Sequence, residues 1–311
     1  MSVLNNSGSP RARLTRATVP EPRIAGCVFV HVPRTAGSSI WQSLARLAEV
    51  HQIPVFDIYG ESKHRYGVPE ASDRVLEESV ERLAASGCFF HHHTAENIFR
   101  HFKPGESVFA TVLRDPVERF VSDIYHYRRF IRSTEPDSPF ALHTARFWSA
   151  RFTSCLRRDE VDHRELLDLG LAEDFFRNYY VNYFASLCWS EEGAGGSQDV
   201  SGKYGSRELL NLAREVRQKI QIIGDFSDLQ RTFSRIQTAF RIPPPPQTLA
   251  LTINRGESKP KLTRSEWRHY ADSFAADYYL LEELWNLNSI HKSFRRACRA
   301  LQGIGTNRRA A

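Results

Sequence analysis

No stretch of this 311-residue sequence approaches the ~18 consecutive apolar residues that carry a helix through a bilayer. The opening MSVLNNSGSPRARLTRATVPEPR has no apolar centre, which argues against a secretory leader. Its Arg and Ser content and lack of early acids allow a transit peptide, but the reading adopted is a disordered tail over residues 1–22, with a second tail over 301–311. Cysteine is scarce. Cys27, Cys88, Cys155, Cys188 and Cys298 stand far apart, odd in number and without a CxxC pair, which suggests neither a zinc site nor a disulfide framework. A reducing compartment, and so a cytoplasmic location, is expected. Internal repeats are missing too.

What is present is globular in composition. Hydrophobic residues make up 41% and charged residues 25% of the chain, close to the averages of soluble domains, which sets aside disorder and collagen-like repeats for its bulk. A net charge of +6 favours polyanions, nucleotides or acidic surfaces as partners without choosing among them. The length allows one large domain, expected over 23–300.

The most informative stretch is Cys27 to Trp41, CVFVHVPRTAGSSIW. Apolar Cys27 to Val32 suits a buried strand, and Ile40, Leu44 and Leu47 recur at helical spacing behind a turn rich in Pro, Gly and hydroxyls. Strand, tight loop and helix start aim free N–H groups and the positive end of a helix dipole at one anion. The pattern recurs at Ser107 to Leu113, which runs into RDPVERFVSDIYHYRRF with Pro116 in the first helical turn. Ile220 to Gly224 reads as a further strand between helices Arg207 to Lys219 and Leu229 to Phe240, and a long helix is expected from Ser265 to about Asn286. Alternating strands and helices imply an α/β fold with a parallel sheet. The aromatics between Phe140 and Trp189 read mainly as core, with a wall beside a site as the alternative.

The first loop lacks the Lys that follows Gly in a nucleoside triphosphate cradle; Ser38 and Ser39 follow Gly37, and the cation is Arg34, three residues earlier. Asp115, followed by proline, is the one obvious acid for magnesium at the end of the second strand. These features favour an anion transfer that needs no metal. Arg114 at a strand end and Ser122 in the following helix can converge on a second phosphate, unless Arg114 merely pairs with Asp115 or Glu118. Between the two loops lies FFHHHT, where His91 and His93 face one way on an extended segment and His92 the other; zinc binding is the rival use of that cluster.

These motifs resemble the sulfotransferases that use 3′-phosphoadenosine 5′-phosphosulfate (PAPS), in the branch containing heparan sulfate 2-O-sulfotransferase and related carbohydrate enzymes. HVPRTAGSS is similar to that family's 5′-phosphosulfate loop, usually written PKTAGTS, and LRDPVERFVSDIYHY to its 3′-phosphate motif. The resemblance implies a three-layer α/β sandwich with a central parallel sheet, of nucleotide-kinase-like P-loop architecture, with a helical insertion on the acceptor side. It implies cofactor contacts from Arg34, Thr35, Ala36, Gly37, Ser38, Ser39, Arg114 and Ser122. A looser match, INRGESKPK, adds Asn254, Ser258 and Lys259. His93 is the expected base and His91 its helper, with the reverse assignment open. Arg34 in place of the family's lysine is the chief departure.

The expected function is therefore sulfuryl transfer from PAPS to a hydroxyl of a carbohydrate or glycolipid-type acceptor, leaving 3′-phosphoadenosine 5′-phosphate (PAP). No metal and no nucleic-acid partner is expected. The alternatives are a metal-dependent phosphotransferase of P-loop type and a non-catalytic protein that binds PAP or another polyanion.

Overall fold

The computed structural model describes residues 26–58, 75, 78, 87–91, 98–102, 105–135, 148–189, 204–244 and 259–286, with the backbone alone for 90, 91 and 100. In chain order its elements are β1 (Cys27–Val30), α1 (Gly37–Val50), β2 (Val55–Asp57), β3 (Cys88–His91), α2 (Ile98–His101), β4 (Val108–Leu113) and α3 (Pro116–Ser133). There follow α4 (Ala150–Arg157), α5 (His163–Ala172), α6 (Tyr179–Trp189), α7 (Ser206–Lys219), β5 (Ile222–Asp225), α8 (Leu229–Ala239), α9 (Arg264–Ala271) and α10 (Ala275–Asn286). Among the described residues no helix is long and apolar enough to cross a membrane.

The strands form one five-stranded sheet in the order β2-β3-β1-β4-β5, and every neighbouring pair is parallel. The period-2 alternation of side chains divides each strand between two apolar layers. Val28 and Val30 of β1, Phe89 of β3, and Phe109 and Leu113 of β4 pack with Tyr180 and Phe184 of α6, Leu212 and Val216 of α7, and Leu280 and Leu284 of α10. Phe29 of β1 with Ala110 and Val112 of β4 packs on the opposite side against Ile40, Leu44 and Leu47 of α1 and Phe233 and Ile236 of α8. Helices therefore cover both faces, as a parallel sheet requires. A third cluster joins Val117, Phe120 and Ile124 of α3 to Phe152, Leu166, Phe176, Tyr270 and Phe274. Most of the middle aromatics are thus core.

Three expectations need correction. The strand expected to reach Val32 ends at Val30, where the chain turns into the loop before α1. The short strand β2 was not distinguished by the sequence pattern, because Val55–Asp57 is too brief to show alternation, whereas β3 covers the start of the segment read as extended at FFHHHT. The single long helix near the C-terminal end is broken at Asp272–Phe274 by a 3-10 turn. That break lets Tyr270 and Phe274 face the α3 cluster while Leu280, Leu281 and Leu284 reach the sheet.

Candidate functional site

The C-terminal ends of β3, β1 and β4 lie side by side, since Val30 is in register with both His91 and Thr111. From the middle one springs the loop 31–36. Arg34 (φ 65°) and Ala36 (φ 64°) both adopt left-handed backbone, a conformation that costs a non-glycine residue on the order of 1–3 kcal/mol and concentrates at functional sites. The Thr35 hydroxyl donates to the Val32 carbonyl at 2.7 Å and pins the turn. Ala36 is the N-cap of α1 and supplies no side-chain acceptor, and no acidic residue occupies the first turn. Ala36 thus leaves the positive end of this 14-residue helix without an N-cap side-chain hydrogen bond.

Beneath the loop lies His31, buried. A Cβ on Gly37 would come 1.8 Å from its Cδ2, so only glycine allows α1 to start this close to β1. Burial, and then Arg34, push the His31 imidazole down to about 3, so it is neutral. It supports the loop from below.

The second loop, after β4, is held from two sides. The Arg114 N–H donates to the Tyr180 hydroxyl at 2.9 Å, and that hydroxyl donates to the Arg114 carbonyl at 2.8 Å. Asp115 caps α3 by accepting from the Glu118 N–H at 3.0 Å, and its other oxygen accepts from the Tyr278 hydroxyl at 2.8 Å. The Arg114 side chain pairs with Glu118 at 3.1 Å, not with Asp115, and its guanidinium lies 4.2 Å from the centre of the Phe226 ring.

On α3, Ser122 turns its hydroxyl to Lys259, whose Nζ donates to it at 2.6 Å across 137 positions of chain. One residue on, Asp123 joins buried Arg119 in an ion pair and stands 3.9 Å from Arg34 Nε. Burial opposes the Arg119 charge, but Asp123 and the nearby Tyr180 and Tyr179 outweigh it and hold the guanidinium protonated; Tyr179 also stacks 3.9 Å below it. Arg34 Nε is buried and makes no hydrogen bond among the described residues.

The electrostatic result is an excess of positive charge. Burial first, then Arg114 and Arg34, lower Lys259 to about 8, against the pull of Asp123. The Arg34 guanidinium is likewise lowered by burial, with Asp123 opposing and Arg129 and Arg114 adding repulsion. His126, one turn beyond Ser122, is pushed down to about 4 by burial, then by Arg34, Arg129 and Lys259. Such a cluster of cations favours an anionic ligand.

The structure thus brings together Arg34, Thr35, Ala36, Gly37, Arg114, Ser122 and Lys259, with Ser38 exposed on the first turn of α1 and Ser39 buried beside it. His91 ends β3 next to the root of the loop. His93, Asn254 and Ser258 lie outside the described residues. His31, Arg119, Asp123, His126 and Tyr180 were not singled out from the sequence. The spacing of Arg119 and Asp123 by four on a helix could have flagged the pair; nothing local marks Tyr180 as the clamp of Arg114. Among the described residues, no group of three His, Cys, Asp or Glu is placed to hold a metal ion. No family model matches this chain, and no curated protein matches it.

Proposed function

We propose that the protein is a PAPS-dependent sulfotransferase acting on a hydroxyl of a carbohydrate or glycolipid-type acceptor. The observation that carries the reading is the Lys259–Ser122 contact at 2.6 Å, within electrostatic reach of Arg114 and Arg34. It makes a second anion site beside the loop at the start of α1, so two separated phosphate groups have a place to bind. The sheet order β2-β3-β1-β4-β5, with the loop after the central strand and helices on both faces, supports a three-layer, nucleotide-kinase-like P-loop architecture.

The residues fit the cofactor. Arg114, Ser122 and Lys259, joined by Asn254 and Ser258, hold the 3′-phosphate end. Arg34, the N–H groups of Gly37, Ser38 and Ser39 at the start of α1, and the main chain of Thr35 and Ala36 hold the 5′ end. The Thr35 hydroxyl is engaged with Val32 and serves the loop. When bound, PAPS supplies the sulfuryl group and departs as PAP. Arg34 and the helix start counter the charge that grows on the departing phosphate, the kind of preorganised electrostatic effect that dominates such transfers. Buried Asp123 tethers Arg34 in that position, the arrangement that accompanies arginine in place of the family's lysine. His93 takes the proton from the acceptor hydroxyl and His91 assists. Asp115 is engaged by the Glu118 N–H and Tyr278, which weighs against its use as the metal ligand of a phosphotransferase.

The test is transfer from radiolabelled PAPS to a panel of sugars and glycolipids, with and without chelator, using wild type, Arg114→Ala and His93→Ala. Transfer that is indifferent to chelator and lost in both variants is expected. Transfer abolished by chelator would support the phosphotransferase alternative. PAP binding without transfer, insensitive to His93→Ala, would support the non-catalytic one. Equal affinity for PAP and for adenosine 5′-phosphate would sink the cofactor assignment.

A further inference from the structure

The sequence separates its cysteines widely, but the sheet brings two together. Cys27 and Cys88 are direct partners in the parallel register of β1 and β3. Both side chains lie on the face covered by α1 and α8, Cys88 within that apolar cluster and Cys27 packed against it. Neighbouring strands run about 4.8 Å apart, within the ~4.4–6.8 Å between Cα atoms that a disulfide spans. The two thiols differ in exposure: Cys27 is half-buried and Cys88 buried.

We propose that Cys27 and Cys88 form a redox-active dithiol, in which Cys27 attacks a small disulfide from solution and Cys88 resolves the adduct into an interstrand disulfide linking β1 to β3.

The chemistry follows from the surroundings. The neighbouring Cys88 side chain, opposed by burial and reinforced by Arg241, lowers the Cys27 thiol from its ordinary value. The Phe240 carbonyl, 3.9 Å from Cys27 Sγ, is a weak acceptor for the neutral thiol. Conversely, Cys27 beside it, and then burial, raise the Cys88 thiol. A partly exposed thiol of lowered pKa beside a second thiol is the arrangement of redox-sensing cysteines.

With a small disulfide such as oxidised glutathione as oxidant, the Cys27 thiolate attacks one glutathione sulfur. An S–S bond forms between Cys27 and glutathione, and one glutathione thiolate leaves. The Cys27 charge that held the Cys88 proton is then gone. Cys88 gives its proton to the departing thiolate or to solvent, attacks Cys27 Sγ, and expels the second glutathione. The protein loses two protons and two electrons, and one glutathione disulfide takes them up to become two thiols.

The experiment treats the native full chain with oxidised glutathione, quenches by alkylation, and maps peptides by mass spectrometry. The expected result is a peptide pair joined through Cys27 and Cys88, lighter by two hydrogens, without retained glutathione and restored by dithiothreitol. Cys88→Ala should instead accumulate glutathione on Cys27, and Cys27→Ala should leave Cys88 unmodified. Stable glutathione on Cys27 of the wild type, or wild-type Cys27 unmodified while the urea-unfolded chain reacts, would overturn the proposal. The wild-type arm decides the matter even if a variant does not fold.

Discussion

Lys259 Nζ reaches Ser122 Oγ at 2.6 Å although 137 residues separate them in the chain, and this contact draws the segment before α9 onto α3. Lys259 shares this corner with Arg114 and Arg34, and burial first, then those two charges, lower its ammonium to about 8. An anion arriving between them relieves that repulsion.

PAP binding should therefore take up protons near pH 8. A lysine lowered to about 8 is charged below that pH and neutral above it; the anion stabilises the charged form. Affinity should hold at neutral pH and fall as pH rises through about 8. Calorimetry in two buffers of different ionisation enthalpy would read the proton uptake directly. Lys259→Ala should abolish the uptake and cost about 1.5–3 kcal/mol, roughly ten- to a hundredfold in Kd, as expected for a hydrogen bond to a charged group. Uptake unchanged in Lys259→Ala would contradict this.

Gly37→Ala should displace the loop, because the new Cβ would stand 1.8 Å from the His31 ring. Overpacking of this kind typically costs about 1–3 kcal/mol. Removing the obstacle with His31→Ala in the same chain should recover part of the loss in a urea melt, a coupling the single variants cannot show.

The Arg119–Asp123 pair should be more sensitive to losing one partner than both. Asp123→Ala leaves a buried guanidinium uncompensated, which costs about 3–5 kcal/mol. Replacing the pair by Arg119→Met with Asp123→Leu should be better tolerated in stability while still weakening PAP binding, since Arg34 loses its tether. Denaturant melts alongside PAP titrations distinguish the two effects.

Acid should act on two buried groups with opposite sign. His31 is lowered from 6.5 to about 3, so the stability of its neutral form is present above pH 6.5 and is lost as pH falls toward about 3. Asp277, buried and accepting from the Val181 N–H, is raised from 3.8 to about 6, by burial against its backbone hydrogen bonds. Its neutral form is favoured in the fold, so between pH 3.8 and about 6 its contribution declines as pH rises. Each site contributes a slope of up to about 1.4 kcal/mol per pH unit within its window. Asp277→Asn should therefore steepen the rise of stability with pH across that window, and His31→Gln should flatten it, both read from melts at a series of pH values.

Much of the frame was legible because it rests on local signals. Pro116 after Asp115, and the apolar run Val108–Leu113, fix a strand and a helix start with no help from the rest of the chain. The turn at Pro33 to Gly37 is likewise marked by its own residues. What was not legible depends on partners distant in sequence. Tyr180 reads as one aromatic among many until its hydroxyl is seen to hold both main-chain groups of Arg114. The salt-bridge reading of Arg114 held for Glu118 and not for Asp115, because capping α3 turns the Asp115 carboxylate toward the helix. Cysteines judged by spacing alone looked unrelated, while register made neighbours of Cys27 and Cys88.

The placement of β1 between β3 and β4 has a bearing on how this chain can vary. The three strand ends that carry the loop 31–36, His91 and Arg114 keep their spacing through main-chain hydrogen bonds, which do not depend on side-chain identity or on the length of the excursions between strands. Under the proposed function, selection for a new acceptor can work on those excursions while the proposed anion sites stay in place.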